Sequence, residues 1–329
     1  MSGLRDSAVG RLRAVAGWPA FTTGRYEVIE EIGRGGMGTV YRALDRELGR
    51  DVAIKIPNDA EETTIERRLQ LEARILARLE HPGIIPIHDA GRLADGRLFY
   101  VMKWVRGRTL RELLAARPAR AELLRIFERL CEPVAFSHDA GVIHRDLKPE
   151  NVMIGAFGEV LVMDWGVAKQ QGTLSAVASS TSPEQSGTSA GDVIGTPGFM
   201  SPEQARGEAD RVDIRADVYS LGAILYLLLT GEEPATAGGS ADVLDRRDIP
   251  KPLRAICARA MDLAPAARYE SVTALADDVA RYRAGEATHA HQETVFEKAL
   301  RLGRTYRAAI LLVLGYIIMR AAVALFAGW

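Results

Sequence analysis

The chain has 329 residues, 47% hydrophobic and 26% charged, which suits a two-lobed enzyme with short appendages and excludes a disordered protein. Its 42 lysines and arginines face 43 acids, a formal charge of -1. That balance gives no overall electrostatic pull toward nucleic acid, and none is expected as a partner.

Residues 1–24 mix Arg5, Arg11 and Arg13 with glycine and alanine and never sustain an apolar run, so no cleavable secretory leader is expected. Residues 1–25 read as a flexible leading segment. From Tyr26 a loosely alternating strand leads into Gly33-Arg34-Gly35-Gly36-Met37-Gly38, where glycines let a hairpin backbone approach phosphate oxygens with no Cβ in between. A dinucleotide-binding fold would open a helix at the last glycine. Here Thr39-Val40-Tyr41 and Asp51-Val52-Ala53-Ile54-Lys55 read as strands instead, and Lys55 ends the second with its ammonium free to meet phosphate.

Ile65, Leu69, Glu72, Ile75, Leu76 and Leu79 recur at helical spacing over 64–79, and His81-Pro82-Gly83 stops the helix. Leu98 to Met102 reads as a strand, and after Gly107 the pattern turns helical with Leu110, Leu113 and Leu114, which puts a lobe boundary near 102–107. Cys131 and Cys257, in apolar helical patterns, read as free core thiols of a reducing compartment. His289 and His291 lack the companions of a metal site, so no structural metal is assigned.

His144, Arg145, Asp146, Lys148 and Asn151 stand in the run HRDLKPEN, and Asp164-Trp165-Gly166 follows an apolar strand. The run gathers a candidate base, a phosphate-facing cation and two side chains able to hold a metal. Phosphoryl transfer through a loose transition state needs little covalent help from a protein; alignment and charge neutralisation are what it requires. Residues 170–195 are rich in Ser, Thr, Gly and Gln and read as a mobile loop, while 218–230 is apolar enough for a buried central helix.

Taken together, these motifs resemble the Hanks-type serine/threonine protein kinases, especially their bacterial members, from about Tyr26 to about Gly285. The resemblance implies an α+β, bilobal protein kinase fold: a β-rich N-lobe with one long helix (26–101), a hinge (102–107) and a helical C-lobe (108–285). ATP and Mg²⁺ are the implied cofactors, and Ser/Thr hydroxyls of proteins the acceptors. Asp146 would orient the acceptor and take its proton late, Lys148 would lie near the γ-phosphate, and Asn151 and Asp164 would hold Mg²⁺.

By the same likeness Glu72, rather than Glu61 or Glu66, would pair with Lys55 across the α- and β-phosphates. Gly33, Arg34, Gly35, Gly36, Met37 and Gly38 would cover the phosphates. Val40, Ala53 and Met153 would sandwich the adenine, Met102 would back the pocket, and Lys103, Trp104 and Val105 would give the hinge backbone. Glu203 of Ser201-Pro202-Glu203 would pair with Arg268, Thr196 would bond Asp146 and Lys148, and Asp217 would anchor the catalytic-loop backbone.

Arg145 beside Asp146 implies activation by phosphorylation of the 173–189 loop, with a transient dimer for that step. Two positions depart from the family pattern: Trp165 stands where Phe is common, packing under Leu76 and beside His144, and Ser201 stands for Ala. The rival readings are a pseudokinase that scaffolds partners and a small-molecule kinase on a related fold; the second would lack the 196–203 platform.

Residues 286–307 read as a basic linker carrying Lys298, Arg301, Arg304 and Arg307. Residues 308–329 form an apolar run of about 22, roughly 33 Å as a helix and long enough to cross a bilayer core. Arg320 interrupts it at about 2.5–3.5 kcal/mol, against about 0.3–0.6 in favour for each of roughly ten Leu, Ile, Val and Phe residues, so insertion wins narrowly. A membrane-tethered kinase facing the cytoplasm, with no extracellular sensor beyond the run, is the expectation. A helix docked on the large lobe of a cytoplasmic protein is the alternative.

Overall fold

The computed structural model describes residues 18–21, 23–35, 38–58, 63–165, 169–170, 198–208, 210–234, 249–305 and 307–327. β1 (Tyr26–Gly35), β2 (Gly38–Asp45) and β3 (Arg50–Ile56) run antiparallel; β4 (Ile87–Arg92) and β5 (Leu98–Lys103) complete a five-stranded sheet in the order β1-β2-β3-β5-β4. The alternation of β2 buries Tyr41 and Ala43 with Val52 and Ile54 of β3, so one face of the sheet makes its own small core. α1 (Thr63–Leu76) is the long helix expected from the spacing of Leu69, Ile75 and Leu76, and its backbone bonds continue to Leu79.

The small lobe begins earlier than Tyr26. Phe21 bridges to Leu93 and meets the rings of Tyr26 and Phe99 edge-on at 5.8 and 5.1 Å, with Trp18 packed beside them. Arg25 is held by Asp45 (3.0 Å) and Asp89 (3.2 Å). Trp18, Phe21 and Arg25 therefore pack against the sheet rather than belonging to a flexible leader. β5 also runs through Lys103, so the stretch free of regular structure between the lobes narrows to 104–106.

The large lobe opens with β6 (Gly107–Thr109) and α2 (Leu110–Ala115), where Thr109 and Glu112 form a reciprocal capping box. α3 (Arg120–Asp139) leads to β7 (Val142–Ile143), which pairs with β10 (Lys169–Gln170), and β6-β8-β9 form a second small sheet from β8 (Val152–Gly155) and β9 (Val160–Val162). After the short α4 (Pro202–Ala205) comes α5 (Ile214–Thr230), buried on nearly every side as its continuous apolar run requires. Asp213 caps its first turn and Gly231, at φ +73°, ends it. α6 (Lys251–Ala260) and α7 (Val272–Arg283) close the core, which holds both Cys131 and Cys257 as free, buried thiols.

The expected linker over 286–307 is in part ordered on this lobe. Buried Asp278 accepts the backbone N–H groups of His289 (2.5 Å) and Ala290 (2.9 Å) and the hydroxyl of Tyr269 (2.8 Å). α8 (Val295–Thr305) follows, tied by Lys251–Glu297 and Glu293–Arg301 pairs at 2.8 Å, and leaves Val295, Phe296 and Leu300 exposed. α9 (Arg307–Ala327) extends beyond it. Among the described residues no helix is long and apolar enough to cross a membrane.

Candidate active site

The loop between β7 and β8 and the segment after β9 are locked together from below by α5. Asp217 accepts the backbone N–H of both His144 and Arg145 at 2.8 Å, and His138 Nε2 lies 2.8 Å from the same Oδ2 that takes the His144 N–H. His144 reaches the Met163 carbonyl at 2.9 Å and its ring lies 4.6 Å from that of Trp165, tilted by 54°; Trp165 is fully buried in the core that also holds Leu76. The Trp165 indole Nε1 has no hydrogen-bond partner among the described residues, so the larger ring fills the site at the cost of one donor. Arg145 and Asp164 both take positive φ, +70° and +59°, uncommon for residues other than glycine.

On this frame Lys148 Nζ donates to Asp146 Oδ2 at 2.8 Å, and Asn151 Nδ2 donates to the Asp146 carbonyl at 2.8 Å and to Oδ2 at 3.2 Å. Asn151 is thus turned with its amide nitrogen on Asp146 and its oxygen left for another partner. From the small lobe, Lys55 Nζ donates to Glu72 (3.0 and 3.1 Å) and to Asp164 Oδ1 (2.9 Å), and Tyr100 Oη donates to Glu72 Oε1 (2.9 Å). Lys55 therefore connects α1 to the loop after β9 through one ammonium. Asp164 and Asn151 offer hard oxygen donors next to a cationic cleft, the donor chemistry that Mg²⁺ takes.

Burial pulls the Lys55 pKa down, but Tyr100, Glu72 and Asp164 around it outweigh that and hold it well above a free lysine. Two carboxylates share this one ammonium. Burial and the Asp164 charge push the Glu72 carboxyl up, whereas Asp164, although also desolvated, is lowered by Lys55.

Asp217 and Glu203 are likewise desolvated, yet their hydrogen bonds hold both pKa values below the usual carboxylate range. A carboxyl depressed in the folded state contributes stability above its unfolded pKa of about 4 and loses it as pH falls through the folded value. Stability of the large lobe is therefore expected to fall as pH drops below about 4, with removal of the Asp217 carboxylate flattening that limb of a thermal-denaturation series. A series with no decline below about 4 would contradict this assignment.

The glycine hairpin closes with Gly35 opposite Gly38, and a Cβ on Gly38 would lie 2.4 Å from the Ile56 carbonyl oxygen. Gly33 and Gly35 face open space. Asn58, which the sequence did not single out, holds both limbs: its Nδ2 donates to the Gly35 carbonyl at 2.8 Å and its Oδ1 accepts from Thr39 at 2.9 Å. Gly36 and Met37 lie outside the described residues, and the Arg34 guanidinium is turned onto Glu31 at 2.9 Å. Val40 pairs with Lys55 across the sheet and Ala53 with Met102; Met102 and Met153 pack on the cluster of Ile85, Val105 and Leu161. Lys103 is exposed at the end of β5, and Trp104 carries the Arg42 guanidinium 5.6 Å above its ring.

Below the cleft, Arg268 forms a two-pronged pair with Glu203 at 2.7 and 2.8 Å, both side chains buried. Thr196 and the serines and threonines of 173–189 lie outside the described residues. Tyr100 also escaped the sequence reading. Its alternation within Leu98–Lys103 is the one signal that could have placed its hydroxyl beside Lys55.

A β-rich lobe and a helical lobe that bring a lysine–glutamate pair, a loop aspartate and an asparagine around one cleft are the architecture of a protein kinase domain. The protein kinase domain family matches residues 26–279, and the chain belongs to it. It is 34% identical over 299 residues to serine/threonine-protein kinase PknD of Protochlamydia amoebophila, covering 80% of this chain and 30% of that protein. To serine/threonine-protein kinase PknB of Mycobacterium tuberculosis it is 38% identical over 294 residues, covering 83% and 45%. The chain thus spans less than half the length of either relative. Among solved structures, the PknI kinase domain of Mycobacterium tuberculosis matches at a TM-score of 0.59 and 26% identity, covering 80% of this chain and 98% of that one.

Proposed function

We propose that the chain is an ATP-dependent serine/threonine protein kinase. The observation that carries this is the convergence of Lys148 and Asn151 on the Asp146 carboxylate, beside an Asp164 already joined to Lys55. Asp146 aligns an incoming hydroxyl and accepts its proton as the bond to phosphorus forms. Lys148 and Lys55 spread positive charge along the phosphate chain, and Glu72 with Tyr100 keeps Lys55 aimed. Mg²⁺, held by Asn151 and Asp164, would supply the remaining neutralisation of the phosphate oxygens when bound. Relatives called serine/threonine-protein kinases support hydroxyl acceptors of that class.

Arg145 supports control by phosphorylation. Its Nε and Nη2 are buried and have no hydrogen-bond partner among the described residues, a cationic site that an acquired phosphate would satisfy. Purified full-length chain incubated with Mg²⁺, labelled ATP and a generic protein acceptor is expected to transfer the γ-phosphate. Nucleotide binding without transfer would favour the scaffold reading.

The C-terminal segment, in this reading, attaches the domain to a membrane. The apolar run over 308–329, the exposed Leu311, Leu312, Ile317 and Ile318 of α9, and the basic residues of 298–307 support it. The full chain is expected to float with anionic vesicles, and a chain ending at residue 306 to stay behind. Detergent-free, monodisperse full-length protein would remove this part of the reading.

A further inference from the structure

The residue just before Asp146 is held from two sides, and only one of the holders was legible in the sequence. Arg145 takes φ +70°, a conformation that non-glycine residues adopt only where the surroundings impose it. Its N–H is fixed by Asp217 Oδ1 at 2.8 Å. Its carbonyl is fixed by Gln204, whose Nε2 donates to it at 2.7 Å.

The Gln204 amide has a determined orientation. Its Oε1 accepts from Ser201 Oγ at 2.8 Å and from Ser201 N–H at 3.3 Å, and turning the amide over would set oxygen against the Arg145 carbonyl. Ser201, fully buried at the start of α4, thereby gains a use for the hydroxyl that distinguishes it from the more common alanine. On its other side the same short helix carries Glu203, bolted to Arg268. The segment that begins at Gly198 is thus connected rigidly to the backbone from which Asp146 projects.

We propose that Gln204, oriented by Ser201, is a positioning residue for Asp146: it holds the Arg145 carbonyl so that the strained peptide delivers the Asp146 carboxylate to Lys148 and Asn151. Without it, Arg145 relaxes toward negative φ and the Arg145–Asp146 peptide rotates. The carboxylate then leaves the line of transfer while the nucleotide contacts of the other lobe, from Lys55 and the glycine hairpin, stay in place. This inference rests on the kinase reading above.

The test uses the full chain with Gln204→Met, an apolar side chain of similar length, and Gln204→Glu, which keeps the shape and loses the donor. Both are expected to lower kcat about ten- to a hundredfold, the scale of a small misplacement of a reacting group, with KM for ATP within about twofold. Gln204→Glu removes one neutral bond, to the Arg145 carbonyl, and its melting temperature is expected to stay within about 3 °C, whereas Gln204→Met also removes the two bonds from Ser201 and is assayed well below its own melting temperature. Ser201→Ala is expected to lower kcat in the same direction by a smaller factor. A Gln204→Met enzyme with wild-type kcat overturns the proposal. So does a loss of activity that follows a fall in melting temperature, or one that appears in KM alone. A wild-type chain that transfers no phosphate overturns the functional reading itself, and with it this inference.

Discussion

Asp146→Asn is expected to lower phosphate transfer by about 10²- to 10⁴-fold, the range that one positioned proton acceptor contributes, while KM for ATP changes little. The asparagine keeps the shape and can still take the Asn151 amide on its oxygen, but it cannot accept the hydroxyl proton. It also deprives Lys148 of the carboxylate that holds its ammonium at 2.8 Å. The loss should therefore appear in kcat with the fold intact, because the loop backbone is fixed by Asp217 through His144 and Arg145 rather than by the Asp146 side chain. Steady-state kinetics with a melting curve checks both halves. Equal kcat in the variant would remove Asp146 from the chemistry, and a large fall in melting temperature would make it structural.

Glu203→Ala is expected to produce the largest loss of stability, about 3–5 kcal/mol, because it leaves the Arg268 guanidinium buried without its counter-charge. Three carbonyls would remain as acceptors: Asp262 at 2.7 Å, Arg215 at 2.9 Å and Leu263 at 3.5 Å. They satisfy hydrogens and leave the charge uncompensated. Against a typical net stability of about 5–15 kcal/mol, such a loss brings the large lobe near its threshold, so the melting temperature should drop by several degrees or more. Pairing Glu203→Leu with Arg268→Met should recover much of that loss, since a buried ion pair replaced by apolar groups is often close to neutral. If Glu203→Ala melts like the wild type, the pair is not a structural link.

The motifs that needed particular chemistry at fixed spacing were legible. Lys55 at the end of a strand pairs with Glu72 of α1, and Lys148 and Asn151 meet Asp146, as the resemblance to protein kinases implied. The long apolar run that became α5 was equally readable, because a helix buried on all sides needs no partner pattern to reveal it. What escaped was set by contacts distant in sequence. Trp18 and Phe21 fall within the segment read as a flexible leader, yet they pack on the β-sheet core through Leu93 and Phe99, more than 70 positions later.

Residues 286–294 read as linker because the feature that orders their backbone is a buried carboxylate, Asp278, in the preceding helix. Asn58 and Gln204 act through side-chain bonds to groups distant in sequence, which no periodicity marks, and for Tyr100 the alternation of β5 gives the face but not the partner.

The most direct measurement is mass-spectrometric mapping of phosphate on the full chain after incubation with ATP and Mg²⁺, beside Asp146→Asn treated identically. Phosphate on serine and threonine in the wild type, absent from the variant, is the expected result. Unmodified wild-type chain, or the same sites filled equally in the variant, would contradict a cleft in which Asp146 aligns the acceptor.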